Sequence, residues 1–230
     1  MANRMETGVR KGIRILREKG PQDTLKWVHH HLYERYREWY LGIETASYEG
    51  WGKAHEYSEK NNVYEPICYD CLDRALASLD VVPDEEVFLD YGAGKGRVVV
   101  VAATHPFRKV LGIELLPDLA NLARRNVERA RRRLRCKEVE IISADATRFS
   151  VPDDVTVCFF FNPFVGEVMK RVQEQIRASL QRRPRRLRVV SMNPLGDPDP
   201  FGECDWLQER KEISPGWWRN MRFAIHSSVA

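Results

Sequence analysis

The sequence predicts an α/β fold, a parallel sheet with helices on both faces and a helical extension ahead of it. Three observations predict it. A glycine-rich turn, Gly92-Ala93-Gly94-Lys95-Gly96, separates the apolar runs Val87-Phe88-Leu89 and Val98-Val99-Val100-Val101, as where a buried strand turns sharply into a helix. Strand-like and helix-like runs then alternate through most of the remaining chain. Successive strand-like runs also end on polar residues: Asp90, Glu114, Asp145 and Asn162.

In chain order, residues from about 7 to 41 read as helix, interrupted near Gly20-Pro21. Leu25, Val28, Leu32, Tyr36, Trp39 and Tyr40 recur at helical spacing and form one apolar-aromatic stripe. Arg10, Lys11, Arg14 and Arg17 accompany Val9, Ile13 and Leu16. This extension is expected to pack on the main domain or on a second copy of the chain, making a homodimer. A substrate lid and a membrane-surface helix are the sharper alternatives. His29, His30 and His31 point about 100° apart on a helix and cannot share a metal well, so they read as surface residues. No metal site is expected. From Gly42 to Asn62 periodicity is lost and a loop is expected. Residues 1–62 are thus the extension, and 63–230 the main domain.

Pro66 is placed to start a helix carrying Leu72, Ala75, Leu76 and Leu79. A strand over 109–114 and a helix over 117–135 follow the glycine turn. Strands are expected over 139–145, 155–161 and 187–192, with a helix marked by Val168, Val172, Ile176 and Leu180 before the last of these. The stretches 206–213 and 221–227 alternate enough to be two terminal strands. The run Phe159-Phe160-Phe161 reads as a strand covered on both faces, with two of its rings in the core.

Composition sets bounds. The 230 residues fit one domain with additions, and a net charge of +4 is too mild to imply nucleic acid. No run is long enough for a membrane span, and residues 1–6 have no signal-peptide character. Five cysteines, an odd number, suggest reduced thiols and a cytoplasmic location. Cys68 and Cys71 lack a second pair at metal spacing and are expected to be buried thiols. Two arginine clusters, at 124–135 and 182–188, invite phosphate contacts, yet a solvated face is the plainer expectation.

The chemistry lies at the strand ends, where open parallel sheets bind ligands. The glycine spacing is G-x-G-x-G, and Arg97 stands where a dinucleotide binder has its last glycine. Asp90, two residues ahead of Gly92, suits a ligand with a positive charge and an amine, and S-adenosylmethionine is such a ligand. Glu114 stands where a carboxylate can accept both ribose hydroxyls, and Asp145 where one can accept an adenine amine. Asn162, stiffened by Pro163, can present an acceptor oxygen beside a reacting methyl group.

These motifs resemble class I S-adenosylmethionine-dependent methyltransferases from about Tyr64 onward. Within them the chain is similar to prokaryotic domains related to the non-SET histone-lysine methyltransferases. The likeness rests on Tyr64-Glu65-Pro66, on Asp90-Tyr91-Gly92-Ala93-Gly94-Lys95-Gly96-Arg97 and on Phe160-Phe161-Asn162-Pro163-Phe164. It implies a seven-stranded, Rossmann-like sheet whose last strand is antiparallel. It also implies a cofactor pocket of Tyr64, Asp90, Gly92, Ala93, Gly94, Gly96, Glu114, Asp145, Ala146 and Asn162. Tyr64 and Asn162 are the implied catalytic pair. The expected activity is methylation of a nitrogen, on a protein lysine or else on a small molecule, with RNA or a non-catalytic binding role less favoured. Tyr91 replaces a more usual small or apolar residue. A long insert or basic tail for holding a nucleosome is not seen, so a histone is not the expected acceptor.

Overall fold

The structure, a computed structural model, describes residues 8–46, 65–195, 197–214, 216 and 221–228. Tyr64 and most of the expected 42–62 loop lie outside these residues. The chain divides into two units, residues 1–40 and 41–230. In the first, α1 (Gly8–Lys19) and α2 (Pro21–Leu41) are broken at Gly20, whose φ of 84° suits glycine. The two helices meet where Gly12 approaches Trp27, leaving a Cβ there only 3.2 Å from the indole. The stripe plays no part in that contact, and Leu25 and Trp39 are 70% and 75% exposed. His29 and His31 are exposed, stacked on Tyr33 and Trp27.

The second unit runs α3 (Tyr69–Ala77), β1 (Val87–Tyr91), α4 (Arg97–Ala103), β2 (Lys109–Glu114) and α5 (Pro117–Ala130). It continues β3 (Glu138–Ser143), β4 (Val157–Phe161), α6 (Gly166–Arg182), β5 (Arg188–Pro194), β6 (Glu209–Glu212) and β7 (Met221–Ser227). The seven strands form one sheet in the order β3-β2-β1-β4-β5-β7-β6. Strands β1 to β5 pair in parallel, and β7 lies antiparallel between β5 and β6. The fold is the α/β, Rossmann-like architecture that the alternation predicts.

Strand periodicity explains the packing. Alternate residues of a strand face opposite sides, so β4 supplies both cores. Phe160 stacks on Tyr91 at 4.6 Å and joins Met169, Val172 and Ile176 of α6. Phe159 turns the other way, toward Phe88 and, beyond it, Phe107. Phe159 and Phe160 are fully buried, while Phe161 is partly exposed. Gly112 lets α4 close on the sheet: a Cβ there would stand 2.6 Å from Val99 and 2.9 Å from Ala93.

Four local expectations are corrected. Cys68 and Cys71 are joined in a disulfide rather than standing as thiols. Cys68 caps α3 and Cys71 sits in its first turn, which sets their Cα atoms 5.4 Å apart, within bridging range. Pro66 does not start that helix, which begins at Tyr69. The 117–135 helix gives way after Ala130 to a tighter turn, Arg131–Arg133. Strand β3 stops at Ser143, because Asp145 caps the short turn Ala146–Arg148.

Gly112→Ala tests the close packing on the sheet. Overpacking of this kind costs about 1–3 kcal/mol, read as a lower urea midpoint with an unchanged slope. An unshifted midpoint would mean that the α4 contact is slack.

Candidate functional site

Strand order reverses between β1 and β4, and a cavity of about 510 Å³ opens at the carboxyl ends of the strands there. Asp90, Gly92, Ala93, Gly94, Glu114, Asp145, Ala146 and Asn162 all line it. Gly96 does not. It sits at the start of α4 with φ of 82°, facing Ala123 so closely that a Cβ would meet it at 3.0 Å. Tyr64 is outside the described residues.

The glycine loop is held by its neighbours and by one bond of its own, from the Gly96 amide to the Ala93 carbonyl at 2.7 Å. Gly92 and Ala93 donate their amides to the Ile113 carbonyl at 3.0 and 2.8 Å. Gly94 donates to Glu114 Oε2 at 2.7 Å, and Leu116 donates to Glu114 Oε1 at 2.9 Å. Glu114 therefore ties the loop to the end of β2 with one oxygen each way. Each of these oxygens still has a lone pair for a hydroxyl. Burial raises its pKa, and the amides of Leu116, Gly94 and Leu115 oppose that rise.

Asp90 is different. It is 2% exposed, and its Oδ2 has no hydrogen-bond partner among the described residues. Burial pushes its pKa well up, and the charge of Glu114 pushes it further. A buried acceptor left unmet costs about 1–3 kcal/mol, so the site is poised for a cationic donor.

Asp145 has its own partner. Its Oδ1 accepts from the Thr147 amide at 2.9 Å and the Thr147 hydroxyl at 2.7 Å. The Thr147 hydroxyl is the main reason its pKa is lowered. It is a cap that also borders the cavity.

Asn162 takes φ of 41°, a left-handed conformation rare for residues other than glycine. Such positions persist where the surroundings impose them. Here the surroundings include Gly92: a Cβ on it would stand 2.8 Å from Pro163 Cβ, and its φ is 76°. The glycine loop and the Asn162-Pro163 turn thus fit against each other only because one lacks a side chain. Beyond them Phe161, Phe164, Val168, Pro194 and Met221 line an apolar end of the cavity. Pro194 and Met221 are register partners in the β5–β7 pair.

Arg97 has a role that its place in the motif did not reveal. It is 3% exposed and lies 4.2 Å over the Tyr69 ring. Its Nε donates to Thr45 Oγ1 and its Nη1 to the Ile67 carbonyl, both at 2.7 Å. It clamps two upstream segments against the glycine loop. Asn126 does similar work, donating to the Lys95 carbonyl at 2.9 Å and exchanging bonds with the Glu44 backbone. An arginine opening an otherwise apolar helix was the one available signal for the first; the second left none.

A family model described as "Histone methylation protein DOT1" matches residues 52–199, more than half of the chain. The chain belongs to the DOT1 family. The match spans the glycine loop and β1 to β5 and leaves out α1, α2, β6 and β7. No curated protein matches the sequence. Among solved structures, the DOT1-family chain is similar to TYW2 of M. jannaschii in complex with AdoMet: TM-score 0.53, 14% identity, covering 73% of this chain and 77% of that one. An rRNA methylase from Streptococcus thermophilus gives TM-score 0.51 at 15% identity, covering 73% and 98%. Geranyl diphosphate C-methyltransferase from Streptomyces coelicolor A3(2), in complex with Mg2+, geranyl diphosphate and S-adenosyl-L-homocysteine, gives 0.50 at 11%, covering 70% and 77%. These likenesses are of fold.

Asp90 gives the DOT1-family chain a pH signature. A carboxyl whose pKa is raised on folding keeps its proton where the unfolded chain has lost it. Stability therefore falls as pH climbs from about 4, the unfolded value, toward the raised one. In Asp90→Asn that contribution disappears. Urea unfolding of the ligand-free proteins across this range should show the variant gaining on the wild type as pH rises. Parallel curves would contradict it.

Proposed function

We propose that this DOT1-family chain is an S-adenosylmethionine-dependent methyltransferase that methylates a nitrogen, with a protein lysine as acceptor. The observation that carries the reading is the buried oxygen of Asp90, which has no hydrogen-bond partner among the described residues, beside a glycine loop that lines the same cavity. The residues suit the cofactor group by group. Asp90 can take its amine, Glu114 its ribose hydroxyls, and the loop of Gly92, Ala93 and Gly94 leaves room for the methionine portion. Asp145, Ala146, Leu116 and Leu119 line the same cavity and suit the adenine.

When bound, S-adenosylmethionine supplies an electrophilic methyl group on a sulfonium. The chain's part is mainly positioning, which suits an in-line displacement. Among the described residues neither a histidine nor a lysine lines the cavity, so none of them stands ready as a strong base for the acceptor. The apolar end disfavours a charged ammonium and lowers the pKa of an amine entering it. The acceptor then reaches the methyl group as the free amine, with the Asn162 carbonyl oxygen orienting its N–H. Phe161 and Phe164 exclude water from the approach. Tyr64 is assigned beside them on the resemblance alone.

Asn162→Ala separates the two halves of this assignment. The turnover number should fall at least tenfold while the calorimetric Kd for S-adenosylmethionine changes less than threefold; an equal loss of both would place Asn162 on the cofactor instead. Incubation with methyl-labelled cofactor and a cell lysate should put label into protein. Label confined to small molecules or RNA would overturn the lysine reading.

A further inference from the structure

Residues 117–137 hold eight basic side chains and two acidic ones, a local balance of +6 in a chain whose total is +4. The rest of the molecule therefore sums to −2, although α1, with five basic residues and one acidic, is itself net positive. The structure separates the 117–137 cluster from the other arginine cluster. Around α6 and β5, Arg182 binds Asp153 and the Val151 carbonyl, and Arg185 binds the Val155 carbonyl and Ser179. Arg186 faces Glu209, and Arg188 is paired with Glu86 and the Leu79 carbonyl. Arg182, Arg185 and Arg188 hold the domain together, while Arg186 meets Glu209 only through an exposed pair at 4.0 Å.

On α5 the pattern is the reverse. Arg125, Arg132 and Arg135 are exposed, and their side chains have no partner among the described residues. Arg131 meets Glu128 and Arg129 meets Glu44 only through exposed pairs at 3.4 and 3.8 Å. Pairs of this kind hold their charges weakly and leave them available. Arg124 is spent on the Ile141 carbonyl and Lys137 on the Leu134 carbonyl.

We propose that the outer face of α5 and the Arg131–Arg133 turn is a docking surface for the phosphate backbone of a nucleic acid. Three features favour phosphate. The unpaired cations are all arginine, whose planar fork matches phosphate oxygens two at a time. Arg125 and Arg129 stand one turn apart on α5, about 6 Å between Cβ atoms, and Arg132 follows in the tighter turn beyond it, which suits a run of charges. No exposed large hydrophobic residue lies among 117–137, so the face lacks the apolar anchors on which protein interfaces depend. Complementing the dipole at the end of α5 needs a cation or two in its last turn; it does not account for Arg125.

The test is fluorescence anisotropy on the full chain with a labelled single-stranded RNA, a duplex DNA and polyglutamate, each over a range of salt. Wild type should bind a nucleic acid at low salt and weaken linearly on a log–log plot. The triple variant R125Q/R132Q/R135Q should bind at least tenfold more weakly. Its salt slope should be shallower by about 2.7 on duplex or about 2.1 on a single strand, three contacts' worth. Which polymer shows the larger effect identifies the source of the phosphate. Arg183→Gln, on the other cluster, should change neither quantity. The proposal is overturned if wild type binds no nucleic acid at low salt, if the triple variant keeps wild-type affinity and slope, or if polyglutamate binds as tightly as nucleic acid. The thermal midpoint of the triple variant should match wild type, which separates lost docking from lost folding.

Discussion

Two carboxyl groups stand out of water at the ends of neighbouring parallel strands, and they are treated in opposite ways. Both oxygens of Glu114 are met by backbone amides, so its charge is used to fix the glycine loop. Asp90 is buried still more completely, and one of its oxygens has no hydrogen-bond partner among the described residues. A fold serving only its own stability would not keep such a group, since an apolar residue there would avoid the cost of burial. The arrangement is sensible if a cationic ligand completes it. The cradle of glycines, the close seat of Pro163 on Gly92 and the left-handed Asn162 are all built around that incomplete acid.

Much of this was legible in the sequence because it is local. Runs such as 87–91, 109–114 and 157–161 are apolar in their interiors, the mark of strands covered on both sides, and their ends coincide with the residues that line the cavity. The order of elements, the antiparallel last strand and the burial of Phe159 and Phe160 followed from periodicity and from the resemblance. The DOT1-family match then bears out that resemblance over residues 52–199.

What escaped depends on contacts between distant parts of the chain. Arg97 was read for the glycine it replaces, but its work is to hold Thr45 and Ile67, 52 and 30 residues away. Asn126 looked like one more polar residue on a helix and proves to be a buried bridge to the glycine loop. The cysteine pair was misjudged because composition speaks for the chain as a whole, while the spacing of the two on one helical turn decides their geometry. The arginine clusters look alike in sequence. Only their partners show that Arg182, Arg185 and Arg188 are taken up by the fold while Arg125, Arg132 and Arg135 face solvent.

The central claim is that Asp90 is the seat of the cofactor's positive amine. Proton release on binding measures it most directly, by calorimetry of S-adenosylmethionine binding on the acid side of neutrality in buffers of different ionisation enthalpy. Burial favours the protonated form of Asp90 and an ion pair with the cofactor favours the ionised form, so the wild type should release more protons on binding than Asp90→Asn does. Equal proton release by both proteins would contradict the account.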